Sequence, residues 1–427
     1  MERDAIRMCE LLVGLPEVHV LGVDKGQPLL IEVETTERIV GCALCGSIAV
    51  GKGRRVVELV DLPAFGRSTK LRWRKRRWRC PEPDCQRSWT EEDRSIAAPR
   101  MAMTDRAGRW ATLEVGRSGR SVNEVAEALG CDWHTVNDAV VAYGSALVDH
   151  PERFGDVEAL GLDEVLFVRR GQWHHPEFST SIVDVGNGQL LDVVPGRGGI
   201  EPKAWIEARG DAWRSNVKFA TLDLSSSYRS VFNSVLPHAT QIADPFHLVR
   251  LANAKLDECR RRVQNELFGH RGRKGDPLYR CRRLLTKAEE RLSDDGREKL
   301  LGLLRAGDPK GDVTAAWHAK EAVRELYAHA DEELATEWIE RLITDMSDKT
   351  WPVEVRSLGR TLLRWKHEIV AWHRAHFTNG PTEAANNLIK RVKRVAFGFT
   401  SFRNYRIRSL LYAGKPNWSL LETVSPR

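Results

Sequence analysis

Four cysteines constrain this chain more than any other feature. Cys42 and Cys45 stand as C-x2-C in GCALCG, and Cys80 and Cys85 as C-x4-C in CPEPDC. Close thiol pairs a few tens of residues apart are the pattern of tetrahedral zinc, in which each pair sits on a tight turn and the two turns face each other. Whatever the first third folds into must therefore bring residue 42 beside residue 85, as a zinc ribbon over 38–95 with one structural Zn²⁺. Residues 1–37 read as a strand-rich lead-in (VHVLGVDK, LLIEVETTE). Cys9, Cys131, Cys259 and Cys281 are scattered and read as plain buried thiols.

Between the knuckles, KLRWRKRRWR alternates. Lys70, Arg72, Arg74 and Arg76, with Arg77, predict a strand with one basic face that runs along a phosphate backbone. A solvated charged strand has the same pattern, and the interleaved tryptophans also suit a small core. Residues 100–150 predict a helical, helix-turn-helix DNA-binding domain. Ser121 and Glu124 form a capping box, Gly130 ends a first helix and Asp132 caps a second. Val122, Val125, Ala126, Leu129, Val136 and Val140 are its buried residues. Trp133, His134 and Asn137 then lie on the leading face that meets base edges. An ordinary helical hairpin reads similarly, and the basic ribbon beside it favours DNA.

The 427 residues suffice for two to four domains, and 42% hydrophobic with 29% charged residues describes a soluble globular protein. A net charge of +7 favours an anionic partner without naming it. No apolar run reaches membrane-spanning length and the first residues carry acids, so the expectation is a cytoplasmic protein with no membrane partner.

From residue 155 the pattern changes. Strand-like ALGLDEVLF, FSTSIVDV and QLLDVVPG precede a helix, strand VKFATLDL, a helix and short strand TQIAD. That order predicts a ribonuclease-H-like catalytic domain, its first part at 155–250. Asp163 is expected to end the first strand and Asp223 the fourth, on neighbouring strands, while Glu383 opens a basic helix after the turn Asn379-Gly380-Pro381. Three carboxylates placed so suit two Mg²⁺ or Mn²⁺ ions for phosphodiester chemistry. Asp244 and His247, in ADPFH, are candidates to orient them; Glu164, Asp184 and Asp192 read as surface acids. An all-helical insertion is expected over 251–375, with Leu334, Trp338 and Leu342 on one packing face and Leu358, Leu362, Trp365, Ile369 and Trp372 on another. The catalytic domain resumes at 376–427, where Lys390, Arg391, Lys393 and Arg394 place positive charge for DNA. The whole is a multidomain α/β protein.

These motifs together resemble a bacterial insertion-sequence transposase of the ISL3 family, over nearly the whole chain: CALC…CPEPDC, the helical pair, LGLDE, TLDLSSSYRSVF, ADPFH, NGPTEAANNLIKRVKR and FGFTSFRNYRIRSLL. The resemblance implies a metal-dependent DDE triad at Asp163, Asp223 and Glu383. Ala384 departs from the glycine expected there. It implies binding to double-stranded DNA at terminal inverted repeats, strand cleavage, attack of the freed 3′-hydroxyl on target DNA, a homodimer or larger synaptic assembly, and a nucleoid location. The competing readings are a non-catalytic DNA-binding regulator derived from a transposase, which needs no acids, and a metal nuclease of another pathway, which needs no sequence-reading modules.

Overall fold

The computed structural model describes residues 2, 4–424 and 426. They form two compact units, residues 1–154 with 387–427, and residues 155–386. The segment expected as the second catalytic part, 376–427, is thus divided between them.

The first unit holds a five-stranded sheet: β1 (Val18–Asp24), β2 (Leu29–Thr35), β3 (Val50–Ala64), β4 (Arg67–Arg79) and β5 (Ser88–Thr90). The order is β1-β2-β4-β3, with β5 on β4. The expected lead-in is therefore not separate from the ribbon, because β2 pairs in parallel with β4, Ile31 opposite Leu71. Val33, Leu59, Leu71, Trp73 and Ile96 fill the core beneath. The β3–β4 hairpin closes on Phe65 and Gly66, both at positive φ (54° and 74°). A turn with two left-handed residues matches the twist of the strands it joins.

Three helices follow, Asp105–Gly116, Val122–Leu129 and Trp133–Val148. The capping box of Ser121 and Glu124 is formed, Gly130 caps that helix at φ 66°, and the Asp132 carboxylate accepts the Thr135 N–H. The carboxyl-terminal helix Phe402–Ala413 packs on Trp133–Val148. A Cβ on Gly144 would lie 2.8 Å from Ile407 Cγ2, so only a glycine admits this approach.

The second unit is built on the sheet β10-β9-β6-β7-β8. Its strands are β6 (Ala159–Arg170), β7 (His175–Asp184), β8 (Gln189–Pro195), β9 (Phe219–Leu222) and β10 (Thr240–Ala243). β6, β7 and β8 are antiparallel neighbours, whereas β9 and β10 run parallel to β6. Asp163 does not end its strand. β6 continues to Arg170 because its antiparallel pairing with β7 outlasts its parallel pairing with β9, which stops at Leu162 opposite Leu222. Asp184 and Asp192 are buried, not on the surface: Asp184 accepts the Asn187 amide at 2.7 Å and Asp192 the Trp205 indole N–H at 2.8 Å.

Helices occupy most of residues 245–376. Leu358, Leu362, Trp365 and Ile369 are buried as expected. Leu334 is exposed, and Ala335, Ile339 and Leu342 carry that helix's packing instead. Arg262 holds three helices together through Glu354 at 2.8 Å and Asp312 at 3.0 Å. Among the described residues no helix is long and apolar enough to cross a membrane.

Candidate functional site

The four cysteines converge. Their Sγ atoms all lie within 4.8 Å of one another, with Cys42 to Cys85 at 3.7 Å and Cys45 to Cys80 at 3.3 Å. A tetrahedral ion with Zn–S bonds of about 2.3 Å has S···S edges of about 3.8 Å. Each turn aims backbone N–H groups at sulfur. The Leu44 and Cys45 amides lower the Cys42 thiol to about 6, and the Ser47 amide lowers Cys45. Burial pushes Cys80 up. Backbone amides shift both Cys42 and Cys45 toward the thiolate form, which fits a structural zinc ion, since zinc takes thiolate ligands.

The basic strand between the knuckles differs from the expectation. Arg76 is 7% exposed and spends its guanidinium on Thr35 O at 2.8 Å and Glu34 at 2.9 Å. Arg72 pairs with Glu58 at 2.9 Å, Lys70 lies 3.9 Å from the same carboxylate, and Arg74 lies 4.0 Å from Glu32. Neighbouring strands carry acids opposite these bases, so the face is largely neutralised. Arg77 stands exposed. Trp133 and His134 are exposed on the leading turn of their helix, rings edge to face at 5.2 Å. Asn137 is not: it is 7% exposed and its Oδ1 accepts the Asn404 amide at 3.2 Å. Lys390, Arg391 and Arg394 are exposed and Lys393 is half-buried.

The acidic site lies in the second unit, where β6 and β9 part. Asp163 and Asp223 are the next residues after the last parallel pair, Leu162 and Leu222, which sets them side by side. The first turn of the helix Gly380–Val395 meets β6 at Gly161. A Cβ on Gly161 would stand 2.4 Å from Thr382 Oγ1 and 2.7 Å from Val185 Cγ2, so the glycine of LGLDE is what admits the helix. That helix presents Glu383, 41% exposed at its side chain. The remaining acids are held from both sides. The Asn386 amide donates to Asp163 Oδ2 at 2.7 Å, the Asn379 amide to Asp223 Oδ1 at 2.7 Å, and the Asn379 backbone N–H to Asp244 Oδ1 at 2.9 Å.

His247 sits at the centre. Nε2 is 2.9 Å from Asp223 and 3.7 Å from Glu383, and Nδ1 is 2.9 Å from Asp244. Burial works to lower its pKa, but the carboxylates of Asp223 and Asp244 raise it to about 9, so the ring is an imidazolium at neutral pH. Asp244, though burial opposes it, is kept below its ordinary value by His247 and the Asn379 N–H. Asp163 is pushed up to about 6, first by burial and then by the charge of Asp223.

The three expected carboxylates therefore do not close into a cage. Among the described residues only the cysteines form a close-packed ligand group. His247 Nε2 stands between two of the carboxylates, 2.9 Å from Asp223 and 3.7 Å from Glu383. The donors still fit a hard divalent cation: they are oxygen ligands, and Asp163, raised first by burial and then by the charge of Asp223, stands beside a like charge that a cation would offset. Asn379 and Asn386 were read from sequence as a turn residue and a helix residue. Their signal was present in part, since Asn386 follows Glu383 at i, i+3 on one helix face and Asn379 sits in the turn that opens that helix.

Comparisons with known proteins agree with these motifs. A family model described as "Transposase", of the ISL3 group, matches residues 160–409. A second, the zinc-finger of transposase IS204/IS1001/IS1096/IS1165, matches residues 40–85. The transposase for insertion sequence element IS1557 of Mycobacterium tuberculosis is 27% identical over 301 residues, 66% of each chain. The transposase for IS1001 of Bordetella parapertussis is 24% identical over 390 residues, 88% of this chain and 89% of that one. The Drosophila P element transposase strand transfer complex aligns with a TM-score of 0.37 at 9% identity, covering 75% of this chain and 94% of that one, too weak a likeness to bear on the fold.

Proposed function

The chain belongs to the ISL3 family of transposases, and on that premise we propose that it cuts and joins DNA at Asp163, Asp223 and Glu383. The observation that carries this reading is the parting of β6 and β9, which sets Asp163 and Asp223 side by side under the helix bearing Glu383. The sheet is ribonuclease-H-like in this reading, three antiparallel strands followed by two parallel ones. Asp163, Asp223 and Glu383 would hold two Mg²⁺ or Mn²⁺ ions. When bound, such ions activate the attacking oxygen and stabilise the leaving one.

The chain's own residues prepare that site. Asn386 and Asn379 each donate to one oxygen of an aspartate, while the second oxygen of Asp163 accepts the Glu164 N–H at 2.7 Å and that of Asp223 faces His247 Nε2 at 2.9 Å, so both carboxylates are held in fixed orientation. Asp244, 3% exposed and committed to His247 and Asn379, orients the ring and is not a ligand. His247 holds a proton against Asp223 and thereby lowers the negative charge that an incoming phosphate meets. The three-helix segment acts as the helix-turn-helix, with Trp133 and His134 reading base edges. Arg77, Lys390, Arg391, Lys393 and Arg394 contact phosphates. Terminal inverted repeats and target DNA are the substrates, brought together in a synaptic dimer or larger assembly.

The test is cleavage of DNA carrying the repeats that flank the gene, with Mg²⁺. Asp163→Asn and Asp223→Asn should each lose at least about 10³-fold in rate, a loss of several kcal/mol of transition-state stabilisation, while still binding the same DNA. A wild-type chain that binds the ends but cuts nothing with either metal refutes the reading and leaves a DNA-binding regulator.

A further inference from the structure

We infer that the groove beside Asp223, between helices Pro245–Phe268 and Val353–Arg364, takes a single unpaired nucleotide of the DNA strand. The groove has a volume of about 480 Å³, and both Asp223 and His247 line it. Ligand pockets for small molecules run from about 300 to 1,000 Å³, so it admits one nucleotide and no duplex. Its floor is apolar, made by Leu224, Leu251 and the edge of Trp365. Two arginines, Arg250 and Arg364, line it and are exposed.

Several arginines of this unit are spent on neighbouring acids. Arg229 has Glu368 at 2.7 Å, Arg262 has Glu354, and Arg374 has Glu332. Arg250 and Arg364 make no ion pair among the described residues. Arg250 lies instead near the Phe246 ring, 5.9 Å from its centroid. Two unpaired cations over an apolar floor match the chemistry of a nucleotide, whose phosphate is anionic and whose base and sugar have apolar faces. The groove is continuous with the carboxylates, so its occupant lies next to the phosphate to be cut. A base leaves the helical stack at a cost that falls when it is mismatched or unpaired, so the groove selects DNA that is already open at the cleavage point.

This inference rests on the proposed strand-cleaving role, and its test is one of binding alone. The probe is a duplex of the terminal repeat with one unpaired 2-aminopurine nucleotide at the junction of repeat and flank, compared with the fully paired duplex, both with the full chain in Mg²⁺-free buffer. The unpaired probe should bind about tenfold tighter, with a change in 2-aminopurine fluorescence. Ala254→Trp, at an exposed position, should fill the groove and bring the ratio to within about twofold of one. Arg250→Gln with Arg364→Gln, which alters only exposed side chains, should do the same. A ratio near one in the wild-type chain overturns the inference, as does a ratio that either variant leaves intact. Failure to cleave with Mg²⁺ sinks the catalytic reading but leaves this ratio standing, whereas cleavage with a ratio of one sinks only the groove.

Discussion

Adding a single methyl group at Gly161 should separate the two halves of the acidic site. The Cβ of alanine would lie 2.4 Å from Thr382 Oγ1, 2.7 Å from Val185 Cγ2 and 3.0 Å from Thr221 Oγ1. Ordinary contact begins at 3.4 Å, so the threonine oxygen must retreat by 1.0 Å, the difference between 3.4 and 2.4. Thr382 is fully buried in the first turn of its helix and has no room to rotate clear. The helix must therefore move, taking Glu383 and Asn386 with it. Overpacking of this kind costs about 1–3 kcal/mol, and three close contacts place Gly161→Ala at the upper end. A displacement near an ångström at reacting groups costs about 10²-fold in rate. Thr382→Ala supplies the control. Its hydroxyl is buried without a hydrogen-bond partner, so its loss costs little beyond the methyl, about 1 kcal/mol. In the double variant the worst clash is gone, and the two changes should couple by at least about 1 kcal/mol. Native-state hydrogen exchange of the β6 amides reads stability locally, and Mg²⁺-dependent cleavage reads the site. Strict additivity of the two substitutions, or full cleavage by Gly161→Ala, would refute the reasoning.

Other outcomes follow from the same geometry. Asn379→Ala and Asn386→Ala should each slow cleavage by about 10–100-fold without weakening DNA binding, because they orient carboxylates and touch no DNA; unchanged rates would remove them from the site. Freshly purified protein should carry one zinc, and chelation should unfold residues 38–95; less than about half an equivalent by elemental analysis counts against it. The pKa values of Asp163 and His247 are raised on folding, to about 6 and about 9. Their contributions are complete below the unfolded values and lost as pH rises through the folded ones. Without Mg²⁺ the melting temperature should therefore fall from pH 3.8 to about 6 through Asp163 and from pH 6.5 to about 9 through His247, and His247→Gln should flatten the upper part; a rise over that upper part contradicts the charge state. His134→Ala should reduce discrimination between end and random DNA, whereas Asn137→Ala should lower stability and leave discrimination alone, measured by competition binding.

Much of this was legible in the sequence because it is local. Thiol spacing announced the zinc knuckles, the Ser121–Glu124 box announced a helix start, and apolar runs announced β6 and β9. What was hidden depends on residues far away. Asn137 carries a recognition-like spacing, yet Asn404 closes over it from the other end of the chain. Arg76 follows the period of its strand, but Glu34 on β2 claims it through a parallel pairing that no neighbouring residue signals. Asp163 looks like a strand end because Asp163 and Glu164 interrupt an apolar run, and β7's longer register shows that the strand continues. His247 was visible as a candidate, but its place between Asp223, Asp244 and Glu383 needs three separate segments at once.

The pairing of β2 with β4 also sets an order of events during synthesis. Residues 18–35 leave the ribosome first and form the β1–β2 hairpin, which then waits with one edge open. The strand that covers that edge is not its neighbour in sequence but residues 67–79, which arrive already folded back on β3. Cys80 and Cys85 emerge directly behind them. Metal capture thus follows the β3–β4 hairpin, ties its two ends together before β5 is added, and closes a loop between Cys45 and Cys80 worth about 3–4 kcal/mol by chain entropy. A nascent chain halted before residue 67 should display the unpaired edge of β2 and two zinc-site thiols, Cys42 and Cys45, without their partners, the state in which a protein of this kind is most exposed to aggregation and oxidation.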